Sequence, residues 1–156
     1  MIQRIQSLYL LLIVILSSVT LFAPVAEMVS SVGAGTAYIL DFKGISQVKS
    51  TGNVVVESLW ALTTISAIIP IVALVTVFMF KKRILQIRLC VFNMVIMAGY
   101  YGMLFLHLWL ASAKYHADWH LSYPVIFPLV CIILDILAIR GIGKDEALIK
   151  SLNRIR

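Results

Sequence analysis

The stretch PLVCIILDILAIRG, Pro128 to Gly141, is apolar throughout except for one aspartate, Asp135, before Arg140 closes it. A helix that is apolar on every face lies either in a large core or in a bilayer. Composition points to the bilayer. The chain of 156 residues is 62% hydrophobic and 13% charged. Soluble domains hold roughly 45–50% apolar and about 25% charged residues.

Working outward, three more segments carry no charge: residues 8–26, 59–80 and 89–113. With residues 123–139 they make four stretches near the ~20 residues that cross a bilayer as a helix. The first is too long in its apolar core, and lacks the A-x-A spacing, for a cleaved signal peptide. The net charge of +6 is split into short basic groups at the ends of these runs rather than one patch, which excludes a nucleic-acid surface. Arg4, Lys81, Lys82, Arg83, Arg88, Arg140, Lys144, Lys150, Arg154 and Arg156 fall on one side, and Lys43, Lys49 and Lys114 on the other. That bias predicts a multi-pass membrane protein with both termini cytoplasmic.

The fold expected is an all-α membrane protein, a single domain over residues 1–156. It is a four-transmembrane-helix bundle with a small β-hairpin-like outer loop (residues 27–58) and a short cytoplasmic amphipathic C-terminal helix in the tail (residues 140–156). The loop reading rests on GTAYILDFKG and GNVVVESLW, both β-prone and preceded by glycine turn chemistry. The second outer loop, Lys114–Ser122, is short and aromatic. In the tail, Leu148, Leu152 and Ile155 recur on one helical face, flanked by Lys150, Arg154 and Arg156. That pattern suits an anionic lipid surface or a partner.

Asp135 lies five residues before Arg140, and Arg88 lies five residues after Arg83. Five residues of helix rise about 7.5 Å, so the two charges fall at the same depth on antiparallel helices. A structural ion pair, Arg88 with Asp135, is therefore expected. Its fork geometry would offset the cost of an acid in lipid. Asn93 is a further intramembrane polar residue. Ala98 and Gly102 form a small-xxx-small notch for helix approach, and Pro70 predicts a kink in the second span. Cys90 and Cys131 stand in different spans with no metal-ligand spacing and read as small core residues.

No nucleophile elbow, phosphate loop, HExxH or paired cysteine motif occurs. His116 and His120 have the i, i+4 spacing that would share a metal if their loop were helical, and are weak metal candidates. The opening MIQRIQSLYLLL and the closing KDEALIKSLNRIR resemble an uncharacterised Bacteroidota membrane family, the domain-of-unknown-function 4293 family. The resemblance covers essentially the whole chain and implies a small four-helix inner-membrane protein without an assigned activity. The order of one helix, a strand-bearing loop and three helices also resembles the claudin layout, although the paired loop cysteines of claudins are missing.

The reading is a non-enzymatic accessory or scaffold subunit. Its partners are membrane lipids and another integral membrane protein, with no cofactor and no nucleic acid. The alternatives are a small transporter or channel component using Asp135, with Asn93 and Glu57, and a membrane metal protein or enzyme using His116 and His120.

Overall fold

A computed structural model of the chain describes residues 3–30, 36–49, 52–80 and 82–153, with side chains described within residues 5–148. Among the described residues four long helices carry a five-stranded antiparallel sheet at one end. The helices are α1 (Gln3–Phe22), α2 (Trp60–Phe78), α3 (Arg83–Tyr115) and α4 (Ile126–Asn153). All four are long and apolar enough to cross a membrane. α1 packs on α2 and α4, and α3 packs on the same two.

The strands are β1 (Ala26–Ser30), β2 (Ala37–Asp41), β3 (Gly44–Lys49), β4 (Gly52–Glu57) and β5 (Ala117–Leu121), in the order β4-β3-β2-β1-β5. This corrects the all-α expectation: the architecture is mixed, with a sheet as a second layer. The two β-prone segments of the first loop do not pair with each other. They become β2 and β4, and β3 lies between them. β1 takes only Ala26 from the first apolar run and otherwise comes from the start of the outer loop. β5 comes from the aromatic loop, where Ala117–Leu121 lines up against β1 from Ser30 to Ala26. A hairpin alone would be marginal in water. Five strands over the helix ends bury one face instead, with Ala26, Met28, Leu40, Ile45 and Ala117 at 0–3% exposure.

Side-chain hydroxyls stitch the two layers together. Ser30 donates to the Tyr115 carbonyl at 3.0 Å, Ser112 to that of Ala117 at 2.9 Å, and Thr63 to that of Phe42 at 2.7 Å. Each hydroxyl satisfies a carbonyl at a helix end or strand end that regular pairing leaves open.

The tail differs from expectation too. No separate surface helix forms, because α4 continues through Gly141 and Gly143 to Asn153. Its 28 residues span about 42 Å, well beyond a ~30 Å hydrocarbon layer. The extension is held by packing: Ile142 is buried, and Asp145 accepts a hydrogen bond from Gln6 of α1 at 2.9 Å. Pro70 lies inside α2, which continues on both sides of it. The Ala98–Gly102 notch faces outward, with both residues exposed and open space where a Gly102 side chain would stand.

Candidate functional site

The helices are apolar outside, and their buried stripes mix apolar side chains with polar ones. Large apolar side chains point outward, among them Ile15, Ile71, Val95 and Ile133 at 50–63% exposure. The inward stripe of α1 includes Gln6, Ser17 and Thr20; that of α2 includes Ser66 and Thr76; that of α3 includes Gln86 and Asn93; that of α4 includes Asp135 and Asp145. Water-facing helices show the reverse. This inversion is what an apolar solvent selects, because polar groups then find partners only inside.

Most of these interior groups are satisfied within or between helices. Ser17 and Thr76 donate back to the carbonyls of Ile13 and Val72. Gln86 donates to the Thr76 carbonyl across the α2–α3 contact at 3.3 Å. Gln6 reaches Asp145 because Gly141 lies beneath it: a Cβ there would stand 3.0 Å from Gln6 Cγ. The small residue in α4 therefore makes room for the amide that crosses from α1.

Among the described residues Arg83 Nη1 and His107 Nε2 are buried without a partner, and two more such atoms meet at the α3–α4 contact. Asn93 Nδ2 donates to Asp135 Oδ2 at 3.2 Å, and both residues are 1% exposed. The Cys90 thiol lies beside the same carboxyl. Asp135 Oδ1 and Asn93 Oδ1 are buried and have no hydrogen-bond partner. The expected Arg88–Asp135 pair does not form: Arg88 is on the exposed side of α3, and among the described residues the one salt bridge is Lys114–Glu57. The physical reason is angular. Arg88 and Asn93 are five residues apart, which turns the helix through about 140° beyond one full turn. The reason is axial as well: Asn93 is level with Asp135, so Arg88 stands about 7.5 Å nearer the start of α3, and only the Cys90–Asn93–Met97 face of α3 is buried.

At the sheet end, Glu57 closes β4 against α3. Its Oε2 accepts from Lys114 Nζ at 2.8 Å and from Tyr115 Oη at 3.1 Å. The bonded Lys114 ammonium holds the Glu57 carboxyl below the usual carboxylate range. Tyr115 also packs on Tyr38 of β2, with ring centroids 4.9 Å apart. Glu57 is thus a clasp between the sheet and a helix end.

The histidine pair takes a different form from a helical metal site. His116 caps α3 in the left-handed region (φ 47°), and His120 lies within β5 opposite Glu27. Four residues of extended chain cover about 13 Å, too far for a shared ion. Among the described residues no group of three metal-ligating side chains occurs. Of the tail positions, Leu148 is exposed; Lys150 and Leu152 lie on α4 with their side chains not described, and Arg154, Ile155 and Arg156 lie outside the described residues.

The sheet edges are what reading by segments missed. Among the described residues β4 has a neighbour on one side only. Val54, Val55 and Val56 are 48%, 45% and 47% exposed. The signal was present in the sequence as three consecutive β-branched residues without alternation, which no single buried face explains.

A profile of the family described as Domain of unknown function (DUF4293) matches residues 2–155, and the chain belongs to that family. A search of curated proteins finds no match.

Proposed function

We propose that this member of the DUF4293 family is a non-enzymatic, multi-pass protein of the inner membrane that serves as an accessory or scaffold subunit. It receives a strand from another membrane protein on its outer sheet. The observation that carries the reading is β4. Natural edge strands are blunted by charge, proline, bulging away or cover, because their free N–H and C=O groups template further pairing. β4 runs Gly-Asn-Val-Val-Val before its first charge at Glu57 and has no proline; its one irregularity leaves Val56 unpaired near the end, while Gly52–Val55 keep regular register with β3. Its valines are exposed on both faces, so an added strand would gain main-chain hydrogen bonds and apolar contact together.

Orientation follows from charge. β1–β4 leave the chain between α1 and α2, and β5 between α3 and α4, so the sheet shares its end with Lys43, Lys49 and Lys114. In the sequence the ten remaining basic residues group at the other ends of the four apolar runs, which favours a cytoplasmic location for both termini. The exposed Leu148 and the basic residues after it suit lipid headgroups on that side. Enclosure of Asp135 supports the accessory role over an ion-coupled one, which needs an acid open to a pathway.

A photo-crosslinking residue at Val55, with a matched one at Val91 on the outward face of α3, tests the reading in native membranes. One reproducible protein adduct at Val55, abolished by Val56→Pro, is expected. A folded protein with no protein adduct at Val55 would overturn it.

A further inference from the structure

Asn93 and Asp135 leave a donor missing. An ionised carboxylate only accepts, and an amide oxygen only accepts. The single bond from Asn93 Nδ2 to Asp135 Oδ2 uses one half of each group. The other halves, Asp135 Oδ1 and Asn93 Oδ1, are both buried without a partner. An unsatisfied buried acceptor destabilises the fold, and an unpaired buried charge does so more strongly.

Among the described residues no cation bears on the Asp135 carboxyl. On α3 the facing groups are Cys90 and Asn93, and on α4 the nearest titratable neighbour is Cys131. The Cys131 thiol is directed to the Ile13 carbonyl of α1 at 3.9 Å. The buried stripe of α2 (Leu62, Ser66, Ile69, Ala73 and Thr76) holds no titratable side chain, and the buried residues of α1 are Gln6, Leu10, Ile13, Ser17 and Thr20. Arg88 is exposed.

We propose that Asp135 and Asn93 form a proton-binding site, in which a neutral carboxylic acid and a carboxamide close a reciprocal two-hydrogen-bond ring between α4 and α3. One proton on Asp135 Oδ1 supplies the missing donor. It is given to Asn93 Oδ1, while Asn93 Nδ2 continues to donate to Asp135 Oδ2. Two orphaned acceptors are satisfied by one hydrogen, and no net charge remains in the helix interior. The Cys90 thiol completes the polar cluster without adding charge, since a thiol is neutral at pH 7. The inference is independent of the docking reading above.

An asparagine in place of Asp135 has a donor where the proton would be, so Asp135→Asn preserves both bonds of the ring. Asp135→Leu and Asn93→Leu each destroy it. The test uses the full chain, labelled with carbon-13 aspartate, in lipid vesicles. Infrared spectroscopy at pH 7 and pH 8 is expected to show the carbonyl stretch of a neutral aspartic acid. That band persists in Asp145→Asn and is lost in Asp135→Asn. Thermal unfolding is expected to leave Asp135→Asn at the wild-type midpoint, with both leucine variants clearly lower. A wild-type spectrum with only ionised aspartate at pH 7 overturns the proposal, as does a band lost in Asp145→Asn instead. A midpoint that rises with sodium while the acid band is missing assigns the site to a metal cation and also overturns it.

Discussion

Gly44→Ala is the sharpest perturbation of the sheet. Gly44 has φ +126°, where residues with a side chain are strained, and a Cβ there would stand 2.1 Å from the Glu57 carbonyl oxygen. That neighbour is backbone, in the strand whose Glu57 pairs with Ile45 beside a register shift. Relief therefore requires β4 to move away from β3. Gly52→Ala is the internal control: its φ is +121°, yet nothing lies within 4 Å of its Cβ position. Both variants share a backbone cost of about 1–3 kcal/mol. Only Gly44→Ala also loses hydrogen bonds of the Ile45–Glu57 pairing, each worth about 0.5–1.5 kcal/mol net. Thermal unfolding in detergent should place Gly44→Ala below Gly52→Ala by about 1–3 kcal/mol on those terms. Hydrogen exchange should show the excess confined to peptides covering β3 and β4, with α1–α4 unchanged. Equal stability of the two variants would refute the claim that the close Glu57 carbonyl, rather than the φ angle, decides this position.

Three further outcomes are expected. Glu57 is held below its ordinary range in the folded chain, so its contribution is present above the unfolded value of 4.5 and is lost as pH falls through the lower folded value. Glu57→Gln should flatten that acid limb of a pH–stability curve while changing neutral-pH stability little, as an exposed ion pair implies. Gln6→Leu strips the amide from buried Asp145 and should cost about 1–3 kcal/mol in thermal unfolding, with Asp145→Leu in the same background recovering part of the loss. Val95→Arg places a charge near the middle of α3 on a face 63% exposed to the surrounding solvent. If that solvent is lipid, insertion should be penalised by about 2.5–3.5 kcal/mol, read as a drop in the carbonate-resistant membrane fraction. Unchanged insertion would count against the bilayer reading.

The sequence by itself determined where the chain is greasy and how long each greasy run is. Four apolar helices, their order and the polar nature of positions such as Asn93 and Asp135 follow from composition and rise per residue, which are local properties. Tertiary structure alone decided how those helices are rotated. Counting residues from the basic rims puts Arg88 and Asp135 at one depth, but both the axial offset and the buried side of α3 are set by how it packs with α2 and α4, so Asn93, five residues further along, meets the acid. The sheet was hidden for a related reason. Its register joins residues 26–30 to residues 117–121, and pairing between such distant segments leaves no periodic trace in either one. The tail's continuation into α4 depended likewise on Gln6, more than a hundred residues away, meeting Asp145 over Gly141.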